Sequence, residues 1–376
     1  MFDDSLDTLR KRRSAKWRTY PADVLPLAVA EMDCSLAPPI TAALRVAVEA
    51  ADTGYSAAQP ELGVAIASFA ARRWGWEPDP AAITAVADVG VGVVELLRML
   101  TRPADAVVIS PPVYPPFFDW PQEAGAQLRE VPLTAEFRLD LPALEAAFAA
   151  HPAVYVLCNP HNPVGRVHTH DELAALVRLA RLYGVTIVSD EIHAPLVLPG
   201  AEFTPLLSIP GAAQVAVSVV SASKAFNLAG LKCAAIVTAD PALAALVERF
   251  PKDVRWRTGH LGVLATVAAF TEGDAWLDEL LTELDARRTE LGEHLRTRLP
   301  KISWLPPEAT YLAWLDCRAL GEDDEPCELF LSRGRVGLEP GPRFGARGAG
   351  FVRLNFGTCA DILDEATARM ARVTVE

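Results

Sequence analysis

Short apolar runs alternate with stretches of helical spacing through the middle of the chain. "AVVISPP" (106–112), "AVYVLCNP" (153–160), "VTIVSDEI" (185–192), "VAVSVVSAS" (215–223) and "CAAIVTA" (233–239) each end in turn-forming or polar residues, as buried strands do. Between the second and third lies "THDELAALVRLARLYG" (169–184), whose apolar positions fall at helical spacing. Thr169 and Glu172 form a capping-box pair at its start, and Gly184 stands where a helix would stop. This rhythm predicts an α/β fold with a mostly parallel central sheet and helices on both faces. Such sheets bind ligands beyond the carboxyl ends of their strands. Asn159, Asn162, Asp190, Ser221 and Lys224 fall at those ends.

The pattern changes after about residue 275. "WLDELLTELDARRTELGEHLRTRL" (276–299) reads as a long amphipathic helix, apolar on one stripe and charged on the other. A strand-like "ATYLAWLDC" (309–317) and a glycine-rich segment (337–357) follow, with an acidic loop "GEDDEPCE" (321–328) between them. The expected division is a large domain over 41–275 and a smaller α+β domain built from 1–40 and 276–376.

A chain of 376 residues that is 51% hydrophobic can bury a large core. Its net charge of −13 argues against general nucleic-acid or membrane-surface binding, which needs clustered Lys and Arg. "KRRSAKWR" (11–18) is basic but no apolar segment follows it, so it is not a secretory signal. No apolar stretch of membrane-spanning length is evident. The six cysteines form no C-x-x-C pair and suit reduced thiols in a cytoplasmic protein. The histidines show no metal-ligand spacing beyond His168 and His170 at the capped helix start.

The candidate chemistry gathers at the strand ends. Lys224 follows an apolar strand and is flanked by Ser221 and Ser223. Desolvation or a cationic neighbour would make its amine nucleophilic. Asp190 ends another strand, where a carboxylate needs a cation, a cap or a pyridinium nitrogen to offset its burial. In "DVGVGVVELL" (88–97), Gly90 and Gly92 precede a helical pattern, which would aim the N–H groups of Val93 and Val94 at an anion. Ser221, Ser223 and Lys232 add hydroxyls and an ammonium. Asn162 and Tyr114 sit in proline-rich turns, and Arg353 lies in an apolar strand where it needs a carboxylate partner.

Together and in this order these residues resemble the fold-type I pyridoxal-phosphate enzymes of the class I/II aminotransferase superfamily. The resemblance runs from "LAVAEMDC" (27–34) to "FVRLNFGT" (351–358), nearly the whole chain. It implies pyridoxal 5'-phosphate held covalently by Lys224, with Asp190 at the pyridine nitrogen and Asn162 at the ring oxygen. It also implies Tyr114 stacked on the ring, and Val93, Val94, Ser221, Ser223 and Lys232 on the phosphate. Arg353 would take the substrate carboxylate. A homodimer with a shared site is implied too, with Tyr55 reaching the partner subunit's phosphate. Within the superfamily the chain looks most like the MalY/PatB-type cystathionine β-lyases, the C–S lyases, on "LAVAEMDCSLAPPI", "SKAFNLAGL" and "SDEIHAPLVL". His193 in the last of these stands where aminotransferases usually carry tyrosine. Glu31, Cys34, Pro195 and Lys232 depart from the expected patterns. The implied activity is β-elimination from cystathionine or a related cysteine S-conjugate. An aminotransferase, or a regulatory protein that retains the cofactor, are the alternative readings.

Overall fold

The computed structural model describes residues 1–56, 60–321 and 325–374, so residues 322–324 of the acidic loop lie outside the described residues. Thirteen strands occur among the described residues: β1 (Leu25–Pro26), β2 (Ile83–Val86), β3 (Ala106–Ile109), β4 (Gln127–Glu130), β5 (Val154–Cys158), β6 (Thr186–Asp190), β7 (Ala216–Val220), β8 (Ala234–Val237), β9 (Ser303–Trp304), β10 (Leu312–Asp316), β11 (Val336–Gly337), β12 (Glu339–Pro340) and β13 (Phe351–Asn355). Seven of them form the central sheet, in the order β2-β8-β7-β6-β5-β3-β4. Its pairs from β7 to β4 are parallel, and β8 runs antiparallel to both β7 and β2. Strands β3, β5, β7 and β8 are buried throughout, because helices cover both faces. That burial is why they read as nearly continuous apolar runs, broken only by Ser218 in β7.

The register brings Cys158 beside Asp190, and Asp190 beside Val219. The segments after β5, β6 and β7 therefore leave one edge of the sheet together. The helix His170–Tyr183 between β5 and β6 begins with the expected reciprocal cap. Glu172 N–H donates to Thr169 Oγ1 at 3.2 Å, and Thr169 N–H donates to Glu172 Oε2 at 2.7 Å. It ends on Gly184 at φ 71°, a left-handed conformation that glycine adopts without a Cβ penalty.

The long amphipathic stretch forms the helix Asp274–Arg298. Beyond it lies a four-stranded antiparallel sheet, ordered β12-β13-β10-β9. The N-terminal segment joins this part, since β1 pairs in parallel with β11. Loops that flank the two sheets meet at Gly165, whose carbonyl accepts from the N–H groups of Glu308 and Ala309 at 2.8 and 3.0 Å. Among the described residues no helix is long and apolar enough to cross a membrane.

Candidate active site

A cavity of about 240 Å³ opens at the shared strand edge and is lined by Lys224, Asp190, Asn162, His193, Tyr114 and Ser223, among others. Lys224 Nζ donates to the Ala30 carbonyl at 3.0 Å. Burial, and then the positive charge of Arg353, bring its pKa down to about 8. Asp190 accepts from the Ile192 N–H at 3.1 Å. Burial pushes its carboxyl up to about 7, an effect that this N–H and Lys224 only partly oppose. His193 is buried, and burial together with Lys224 and Arg353 depresses it to about 3, so its ring is neutral. Its Nδ1 has no hydrogen-bond partner.

Arg353 is buried on β13 and links two parts of the site. Its Nη1 donates to Asn162 Oδ1 and its Nη2 to the Ala28 carbonyl, both at 2.9 Å, while Nε is unpartnered. Its guanidinium lies 5.0 Å from the centre of the Phe344 ring. With Asn162 Oδ1 accepting from Arg353, the Nδ2 group of Asn162 is the one left to donate into the cavity. Tyr114 forms another wall, in edge contact with Trp120 at 6.3 Å.

The anion cradle differs from the sequence expectation. The helix starts earlier than its glycines suggested, at Val89, with Asp88 as its N-cap accepting from Val91 N–H at 2.8 Å. Val93 and Val94 are thus inside the helix, where their N–H groups belong to its ladder, and their side chains are buried in the core. Val89 and Gly90 of the first turn line the cavity instead. Ser221 is also displaced from its expected role. Its Oγ donates to the Cys233 carbonyl at 2.7 Å and accepts from Ser223 N–H at 3.1 Å, so it builds the turn and has no proton left for an anion. Ser223 and Lys232 do line the cavity. Lys232 Nζ donates to Asp88 Oδ2 at 3.0 Å, an exposed contact that an incoming anion can exchange. Tyr55 lies outside this cavity, 85% exposed, edge-on to Trp256 at 6.0 Å.

These residues fit the cofactor that the resemblance implies. Among the described residues the buried carboxylate of Asp190 has no ion-pair partner, a place that a protonated ring nitrogen would fill. A neutral His193 with an unpartnered nitrogen and the free amide of Asn162 offer polar atoms to ring substituents. Helix N–H groups, a hydroxyl and an ammonium converge where a phosphate needs them. An amine of lowered proton affinity stands beside all of these.

Sequence reasoning missed several contributors. Tyr311 is buried and its hydroxyl donates to the Ala30 carbonyl at 2.9 Å, the same oxygen that receives Lys224. Asn355 Nδ2 donates to the Val29 and Glu31 carbonyls, both at 2.7 Å. Asn227 reaches the Met32 backbone from the turn after Lys224. The carbonyls of residues 28–32 thus tie Arg353, Lys224 and the small sheet to one strap. No spacing rule reveals this, because the partners lie some 200 to 300 residues apart. Asp88 was detectable as an N-cap residue before an apolar helical run.

The chain matches the family model for aminotransferase class I and II over residues 22–370. A relative from Mycobacterium leprae, named as a candidate cystathionine beta-lyase, is 46% identical, over 99% of this chain and 97% of its own. The cystathionine beta-lyase PatB of Bacillus subtilis is 36% identical, over 93% of this chain and 92% of its own. The crystal structure of a candidate PLP-dependent beta-cystathionase from Corynebacterium diphtheriae matches with a TM-score of 0.95 at 34% identity, covering 99% of this chain and 98% of that one.

Proposed function

The chain belongs to the class I and II aminotransferase family, and on that footing we propose that it is a pyridoxal-phosphate-dependent C–S β-lyase. It cleaves cystathionine, or a related cysteine S-conjugate, with water to a thiol, pyruvate and ammonia. One observation carries the reading. An amine brought down to about 8 shares a cavity with a buried carboxylate, in a chain alike nearly end to end to cystathionine beta-lyases.

Pyridoxal phosphate bound in this cavity supplies a sink for the electron pair left at the substrate Cα. Lys224 would hold it covalently, and the Lys224 Nζ would take the substrate Cα proton. At about 8 the amine is neutral in a useful fraction near neutral pH, which a lysine at 10.5 is not. Asp190 holds a proton at the ring nitrogen by its negative charge. Asn162 and His193 would donate to the ring oxygen, and Tyr114, on the cavity wall, would pack on the ring. Val89, Gly90, Ser223 and Lys232 hold the phosphate. Arg353 grips the substrate α-carboxylate with two donors, which fixes the Cα–H bond in front of Lys224. The thiolate then departs from Cβ.

The protein is further proposed to work in the cytoplasm as a homodimer, Tyr55 completing the phosphate site of the partner subunit. The exposure of Tyr55 and of Trp256 beside it supports a covering partner. Sedimentation of the purified protein tests the dimer, and a monomer at micromolar concentration would exclude it.

The reaction is tested by product analysis with L-cystathionine and no added keto acid. Repeated turnover to pyruvate, ammonia and homocysteine is expected. A single stoichiometric conversion without pyruvate would identify an aminotransferase instead.

A further inference from the structure

Arg353 does not stand alone on its face of the small sheet. Glu339 lies directly opposite it in the antiparallel β12–β13 pair, and residues so opposed share a face with Cβ atoms about 4.5–5.5 Å apart. The Glu339 side chain is only 14% exposed and is paired with Arg343, whose own side chain is 61% exposed. The turn Gly341–Phe344 carries Arg343 and also sets Phe344 against the Arg353 guanidinium. Arg353, Glu339 and Arg343 therefore form a row of alternating charge that runs from the buried site to solvent. The field of Glu339 reaches both Arg353 and Tyr114.

An anion beside a carboxylate clamp opposes a ligand that brings only one carboxylate. A substrate with a second amino-acid head reverses that penalty. Its near carboxylate meets Arg353, its distal ammonium meets Glu339, and its distal carboxylate meets Arg343. We propose that Glu339 and Arg343 form a subsite for the distal amino-acid head of a thioether substrate with two such heads. The proposal rests on the C–S lyase reading above and narrows it to leaving thiols that are themselves amino acids. The Glu339–Arg343 pair preorganises the subsite, since each charge is held in place before the zwitterion exchanges with it. The exposed side of Arg343 gives the departing amino thiol a path to solvent.

The test is calorimetric binding to the holoenzyme of two ligands that cannot be cleaved. One is L,L-diaminosuberate, the cystathionine skeleton with methylene in place of sulfur. The other is L-aminoheptanoate, which has one amino-acid head. The first is expected to bind about tenfold more tightly. Glu339→Gln and Arg343→Gln are each expected to remove most of that preference. The double variant Glu339→Arg with Arg343→Glu keeps an ion pair but inverts the row. A merely structural pair would restore the preference in this double, whereas the subsite requires it to stay lost. Equal affinities in the parent, or a preference that survives both single variants, overturns the proposal. Neither ligand carries a leaving thiol, so the outcome is independent of pyruvate formation in the cystathionine assay. Binding preference without pyruvate formation would remove the reaction and leave the subsite.

Discussion

Asp190 and Glu191 are adjacent buried carboxyls, both raised to about 7 by burial. A raised carboxyl favours the folded state in its neutral form, so this stabilisation is complete below about pH 4 and is lost as pH rises through about 7. Asp190→Asn in the cofactor-free protein should therefore raise the denaturation midpoint relative to the parent by much more at about pH 8 than at about pH 5. A gain of equal size at both values would show that Asp190 is not raised. Arg353 acts differently, because its two donors address the substrate. Arg353→Ala is expected to raise KM for amino-acid substrates by about tenfold or more with a smaller change in kcat. An unchanged KM would move the carboxylate clamp elsewhere. Lys224, Asp190, Asn162 and Arg353 could be singled out in the sequence because each puts a polar group where an apolar strand ends or runs. Glu339 and Arg343 could not, since they look like ordinary charges in a glycine-rich loop.

At the scale of elements, apolar runs and caps were readable wherever the determinants are local. The helix His170–Tyr183 is the clearest case, as Thr169, Glu172 and Gly184 are all within it or beside it. Strand direction was not readable. "CAAIVTA" carries the same apolar pattern whether β8 runs with or against its neighbours, and only the connections decide. The helix Val89–Leu100 starts before Gly90 and Gly92 because the Asp88 side chain caps it, a local signal that the two glycines mask in the sequence. The joint between the loops that flank the two sheets depends on Gly165, at φ 68°, where a Cβ would lie 2.3 Å from Pro307 Cβ. Gly165→Ala should cost about 2–4 kcal/mol, from left-handed strain and overpacking together. Urea titration measures it, and a change below about 0.5 kcal/mol would show that the joint yields freely.

At the scale of the molecule, the chain ends are tied into the site from behind. Lys16, within the basic run 11–18, is 1% exposed and pairs with equally buried Asp33 at 2.7 Å. Trp17 and Thr358 also donate to Asp33. This tie, with the β1–β11 pairing, supports the proposed small domain of residues 1–40 and 276–376. Lys16→Met should destabilise by about 3–5 kcal/mol, because it strands a buried carboxylate. Pairing it with Asp33→Leu should recover most of that loss, and a double variant no more stable than the single would contradict the ion-pair account. The strap of carbonyls from Ala28 to Met32 joins this tie to Lys224 and Arg353. It is a product of tertiary packing over the full chain length, which is why no local pattern revealed it.

The most direct measurement is borohydride reduction of the protein loaded with pyridoxal phosphate, followed by peptide mass analysis. The account requires the pyridoxyl phosphate mass on Lys224 and on no other lysine. Label on Lys232 or Lys16, or no stable label at all, would contradict the assignment of this cavity as the catalytic centre.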